Sequence, residues 1–161
     1  MYEFSKSKFK IGECILKNRT VSSPVSINMA NSDGTVTKNV ISYFSNLAKN
    51  DLAMVTVGNV SISDEGGDTR NGMHSGKKIH FKGLKNLCES IKKYNAAVTL
   101  QLTHVGAQGN TKFSNQRVVG PSKYIVPDIG IESEVLTIEE IKKIEDDFVN
   151  SIYQAEEAGC D

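Results

Sequence analysis

Tryptophan is absent from the 161 residues, and proline and cysteine occur only three times each. Each scarcity excludes something. Cys14, Cys88 and Cys160 are odd in number, far apart and without a CxxC pair. They fit free thiols in a reducing compartment, and neither a disulfide framework nor a zinc site. His74, His80 and His104 also lack metal-ligand spacing, so no metal is expected. Nineteen basic and nineteen acidic side chains cancel to zero net charge. Interspersed as they are, they leave no electrostatic footprint for nucleic acid or an anionic membrane. The N-terminal stretch MYEFSKSKFKIGE is too charged for a signal peptide, and no apolar run approaches membrane length. A cytoplasmic protein is expected. There is no GxGxxG and no P-loop, which argues against a Rossmann site or a nucleotide-phosphate cradle.

What is present centres on AAVTLQLTHVG, residues 96–106. The run 96–100 reads as a buried strand. It leads directly into Gln101, Thr103 and His104, gathering an amide, a hydroxyl and an imidazole at the strand's carboxyl end. In α/β architectures that end is where ligands sit. Polar strand ends are also common as plain structural caps, so the strand alone leaves both readings open.

The rest of the chain supplies a rhythm. Residues 8–19 read as a small hairpin around Gly12-Glu13, and 20–25 as a short strand that Pro24 ends. Thr37 is the expected N-cap of a helix to about residue 49, with Val40, Ile41, Phe44, Leu47 and Ala48 on one face. LAMVTV, 52–57, suits a strand covered on both faces and ending at Gly58-Asn59. A long polar loop follows, then a second helix over about 80–94 that buries Phe81, Leu84, Leu87, Cys88 and Ile91. After a further long loop, Thr137 and Glu140 have capping-box spacing. They open a third helix expected to turn Ile138, Ile141, Ile144, Phe148, Ile152 and Ala155 inward and to stop at Gly159. A fourth strand is due where Cys160-Asp161 stands. Strand and helix alternate three times, which implies parallel strands with crossover helices, and polar residues recur after every strand. The expected fold is α/β, of (β/α) TIM-barrel type, with about the first three βα units across residues 1–161 and a short N-terminal hairpin.

LKNRTVSSPVSINMA, DGTVT, VTVGNVSIS, LQLTHVGAQ, a GPS in the following loop, LTIEEI and AEEAGCD occur in that order. Together they resemble the old yellow enzyme family, FMN-dependent NAD(P)H:flavin oxidoreductases and ene-reductases on a TIM barrel. The resemblance implies that Ser23, Pro24, Val25 and Ser26 contact the isoalloxazine ring. Ser26 stands where the family usually has threonine or cysteine near flavin N5 and O4. The resemblance also implies that Gly58 and Asn59 meet the ring through the backbone and that Gln101 hydrogen-bonds its pyrimidine edge. Asn28 and His104 would face substrate; His104 and Gly106 match the HxG motif, whose usual following arginine is Ala107 here. The family's substrate-binding histidine pair, its tyrosine acid and its phosphate-binding loops would lie past residue 161, so no catalytic residue is assigned within this chain.

The implied cofactors are FMN with NADH or NADPH as reductant, and the implied partner is a small-molecule substrate. The expected function is the N-terminal part of such an oxidoreductase, inactive alone. The alternative is a non-catalytic half-barrel that serves as an assembly or binding module, because three parallel strands leave an exposed barrel edge that invites self-association.

Overall fold

The computed structural model describes residues 2–67, 69–114, 117–128 and 130–161. The hairpin forms as expected: β1 (Phe9–Ile11) pairs antiparallel with β2 (Cys14–Leu16). A parallel sheet follows, built from β3 (Val21–Ser22), β4 (Met54–Ser61), β5 (Met73–His74) and β6 (Ala97–Thr103). β4 lies at its centre. It pairs with β6 along its length, with β3 at its start (Val21 opposite Met54) and with β5 at its end (Val60 opposite Met73). Three helices alternate with the strands: α1 (Lys38–Lys49), α2 (Lys78–Lys92) and α3 (Ile138–Ala158).

The helices form where local chemistry directs them. The Thr37 hydroxyl accepts from the Val40 amide at the start of α1. At α3 the capping box closes in both directions, Glu140 N donating to Thr137 Oγ1 and Thr137 N donating to Glu140 Oε2. Gly159 ends α3 in the left-handed region.

The core lies between one face of the sheet and the helices. Val55, Val57, Val60 and Val98 meet Val40, Phe44, Ala48, Leu84, Leu87 and Ile91 there, all buried. Strand alternation sends the intervening residues to the other face. Met54, Thr56, Ala97 and Thr99 are half-buried on that side and Gln101 is exposed. LAMVTV is therefore covered on one face in this chain, where two covered faces were expected. At the side of β6 away from β4, Asp161 N donates to Val98 O at 2.9 Å.

Several boundaries differ from expectation. The strand expected to stop before Gly58-Asn59 continues through both, with its register against β6 shifting between Val57 and Val60. Gln101 and Thr103 lie inside β6, not after it. The first strand is shorter than expected, since Pro24 has no amide to donate to the ladder, and pairing resumes at a Ser26–Gly58 bridge. The loop after His104 holds two short strands the sequence did not reveal, β7 (Val119–Gly120) and β8 (Glu134–Val135), paired parallel. On α3, Ile138 and Ile152 are exposed, contrary to expectation. The buried residues there are Ser151, Ala155 and Ala158, one step round the helix from Ile152.

Candidate functional site

The carboxyl end of the sheet brings three separated segments into contact. A Cβ placed on Gly58 would lie 2.5 Å from Pro24 Cβ and 2.8 Å from Gln101 Oε1. Only glycine leaves room here for Pro24 and the Gln101 side chain. Below this layer, Thr56 N donates to Ser22 Oγ at 3.2 Å, and the Thr99 hydroxyl donates to Thr56 Oγ1 at 3.1 Å. These bonds tie the three strands into a rigid floor. The Gln101 side chain is exposed above it and hydrogen-bonds to no other described residue. Its amide therefore offers both donors and an acceptor to a ligand.

Ser23, Pro24, Val25 and Ser26 form an exposed segment along one side of this floor. The Ser26 hydroxyl donates to Asn28 Oδ1 at 3.1 Å, and the same oxygen accepts from the Thr69 hydroxyl at 2.6 Å. Asn28 takes up a left-handed backbone, φ 50°, which asparagine tolerates better than most residues. Its carbonyl is thus fixed by two hydroxyls and its amide group is left outward. Thr69 escaped the sequence reading, since nothing in a polar loop distinguishes the residue that folds back 41 positions to Asn28. Asn59 is half-buried within β4. A cleft of about 860 Å³ opens beside Thr69, lined also by Arg70, His74, Lys77, Lys112 and Phe113.

His104 goes elsewhere. Its side chain is 7% exposed, and it accepts from Gly106 N at Nδ1, which leaves the proton on Nε2. Nε2 lies 3.8 Å from Glu65 Oε1, and the imidazole edge sits under Gly66. The structure thus places His104 beneath the 64–66 loop and does not join it to Gln101. Arg117 holds that loop from outside, pairing with Glu65, Glu134 and Glu140 at 3.1 Å each. The sequence offered no signal for this clasp, because its four members come from four segments.

Burial pushes the His104 pKa below its ordinary value, with Glu65 opposing. The folded state therefore binds fewer protons there than the unfolded chain. Stability is fully present above about pH 6.5 and is lost as the pH falls through the lowered folded value. Melting temperatures measured between pH 7.5 and pH 5 should fall more steeply for the native chain than for His104→Gln. Equal slopes would show that His104 does not titrate against folding.

The sequence profile of the NADH:flavin oxidoreductase / NADH oxidase family matches residues 7–161. The chain belongs to this family. It is 27% identical over 157 residues to an NADH oxidase of Thermoanaerobacter brockii, covering 96% of this chain and 24% of that protein. It is 26% identical over 156 residues to an NADPH dehydrogenase of Listeria welshimeri, covering 96% of this chain and 45% of that one. Among solved structures, the Old Yellow Enzyme from Pichia sp. AKU4542 superposes with a TM-score of 0.88 at 24% identity, over 98% of this chain and 44% of the other. The chain thus spans about a quarter to just under half of the relatives it matches, and its sheet and helices are those of a partial (β/α) barrel. FMN is the family's cofactor, with NADH or NADPH as reductant. No helix among the described residues is long and apolar enough to cross a membrane.

Proposed function

We propose that Ser23, Pro24, Val25, Ser26, Gly58, Asn59 and Gln101 form the edge on which a flavin-dependent NAD(P)H oxidoreductase holds its isoalloxazine ring. The convergence of Pro24, Gly58 and Gln101 carries this reading. It creates a flat cradle that a single Cβ would fill, beside a free amide able to donate and accept. A flat heterocycle with alternating carbonyl and N–H groups along one edge fits both features. FMN, when bound, supplies hydride transfer from NAD(P)H to an acceptor, for which we propose an activated alkene.

The chain's own residues bind and orient. Gln101 sets the in-plane rotation of the ring, and the floor of Thr56 and Thr99 keeps Gln101 at a fixed height. Ser26 has committed its proton to Asn28, so its oxygen faces a ligand as an acceptor. Asn28, held by Ser26 and Thr69, directs its amide group outward, where it can donate to a substrate carbonyl. His104, enclosed with Glu65, supports the 64–66 loop above the strand end, through which it would act on the substrate side of the ring.

Titration of the purified chain with FMN, followed by quenching of flavin fluorescence, tests the reading. Gln101→Leu removes the polar edge at nearly constant volume and should weaken binding about tenfold, the equivalent of one to two hydrogen bonds. Unchanged affinity in that variant would refute the assignment of Gln101.

A second reading has its own support. The half-buried face of Met54, Thr56, Ala97 and Thr99, and the open side of β6, suit a half-barrel that associates with another chain. Solution mass measured in the same titration separates the two. FMN bound by a monomer favours the cradle as a self-sufficient site, and no binding by a folded assembly favours the module.

A further inference from the structure

At the opposite end of the sheet, two thiols from distant parts of the chain meet. Cys88 is fully buried in α2, and Cys160 is half-buried just past the end of α3. Their sulfurs are 3.7 Å apart across 72 residues of sequence. The surroundings are well fixed. Cys160 N donates to Ala155 O, while the next residue, Asp161, accepts from Lys92 Nζ at 2.9 Å and from Val98 N at 3.0 Å. Cys88 and Lys92 lie one turn apart on α2, and the Lys92 ammonium pairs with Asp161, the neighbour of Cys160. Among the described residues no group of three histidine, cysteine or acidic side chains could hold a metal.

We propose that Cys88 and Cys160 are a redox pair that closes to an intramolecular disulfide in the presence of a peroxide, pinning the segment just past α3 to α2. Closing the gap requires each sulfur to swing toward the other by less than 1 Å, from 3.7 Å to the bonded distance of about 2.05 Å. Hydrogen peroxide oxidises one thiol of the pair to a sulfenic acid and leaves as water. The sulfur of the other thiol then attacks the sulfenic sulfur; the S–S bond forms, the S–O bond breaks, and hydroxide departs with the second thiol's proton as a second water. Two thiols and one peroxide thus give one disulfide and two waters, the two electrons passing from sulfur to peroxide. Contact with Cys160 holds Cys88 below the usual thiol value, helped by Lys92 and opposed by burial, while contact with Cys88 and burial push Cys160 above it.

This assignment is independent of the flavin reading and needs no bound cofactor. Cys14 is the internal control. It lines a small recess at the same end with Lys92 and Asp161, so it is the competing partner. The full chain treated with hydrogen peroxide, then alkylated and digested without reductant, should yield a peptide pair joining Cys88 to Cys160 and a mass loss of about 2 Da. The cross-link should persist in Cys14→Ser and vanish in Cys160→Ser. The oxidised chain should melt about 5–10 °C higher, because the link closes a long loop, and should return to its original melting temperature with dithiothreitol. Cross-links through Cys14 alone, dimers alone, or a mass gain from sulfinic acid without any 88–160 peptide would overturn the proposal.

Discussion

Gly58→Val is expected to weaken FMN binding by about 100-fold, the upper part of the range for forcing bulk into a filled site. The first atom of the new side chain would already stand 2.5 Å from Pro24 Cβ and 2.8 Å from Gln101 Oε1. Rotating Gln101 relieves one collision and gives up the group proposed to read the ring's polar edge. Moving Pro24 relieves the other and displaces the 23–26 segment, whose pairing to Gly58 runs through Ser26. Either relaxation damages the cradle. The damage is local, because the helix-facing residues Val55, Val57 and Val60 on the same strand keep their burial. Flavin fluorescence titration should therefore show the loss while far-ultraviolet circular dichroism stays close to that of the native chain. A valine variant that folds and binds FMN with native affinity would mean that the ring does not sit here.

Gly76→Val should destabilise the fold by about 3 kcal/mol or more, combining the cost of a left-handed backbone for a β-branched residue with an unrelieved clash. Gly76 has φ 73°, and a Cβ there would collide with the backbone carbonyl oxygen of Ile62. The contact is with main chain at the end of β4, so no side-chain rotation relieves it. Three elements converge on this turn. Ser75 Oγ meets Ser151 Oγ of α3 at 2.9 Å and donates to Ser61 O of β4 at 3.2 Å, and Asn150 of α3 donates to Gly76 O at 3.1 Å. Displacing the turn therefore loosens β4, α3 and the entrance to α2 together. For a domain of this size the melting temperature should drop by about 6–12 °C. A drop of under about 2 °C would show that the turn relaxes freely and that these contacts contribute little.

The two substitutions also show where sequence reasoning reaches and where it stops. Gly76 lies in a glycine-rich polar loop and Gly58 follows an apolar run; as letters, both look like chain punctuation. Their different roles depend on what lies across from them, the Ile62 carbonyl in one case and Pro24 with Gln101 in the other. Gln101 and His104 make the same point. Both are polar residues near one strand end, and both read as ligand-facing. The alternation of β6 puts Gln101 on the open face, while the 64–66 loop, arriving from a segment some forty residues earlier, covers His104.

The elements legible from residue order are those whose stabilising contacts close within a turn or two. The Thr137–Glu140 capping box, the Thr37 cap and the apolar faces of α1 and α2 belong here, as does the alternation that implied a parallel sheet. Their partners lie three or four positions away, so spacing alone specifies them. Pairing across the sheet and packing between helices decided the rest. The register shift in β4, the exposure of Ile152, the Thr69 bond to Asn28, the Arg117 clasp and the meeting of Cys88 with Cys160 each depend on a partner from another segment. Such partners are chosen by how whole elements pack, and a linear pattern carries no record of the rotation or offset at which they meet.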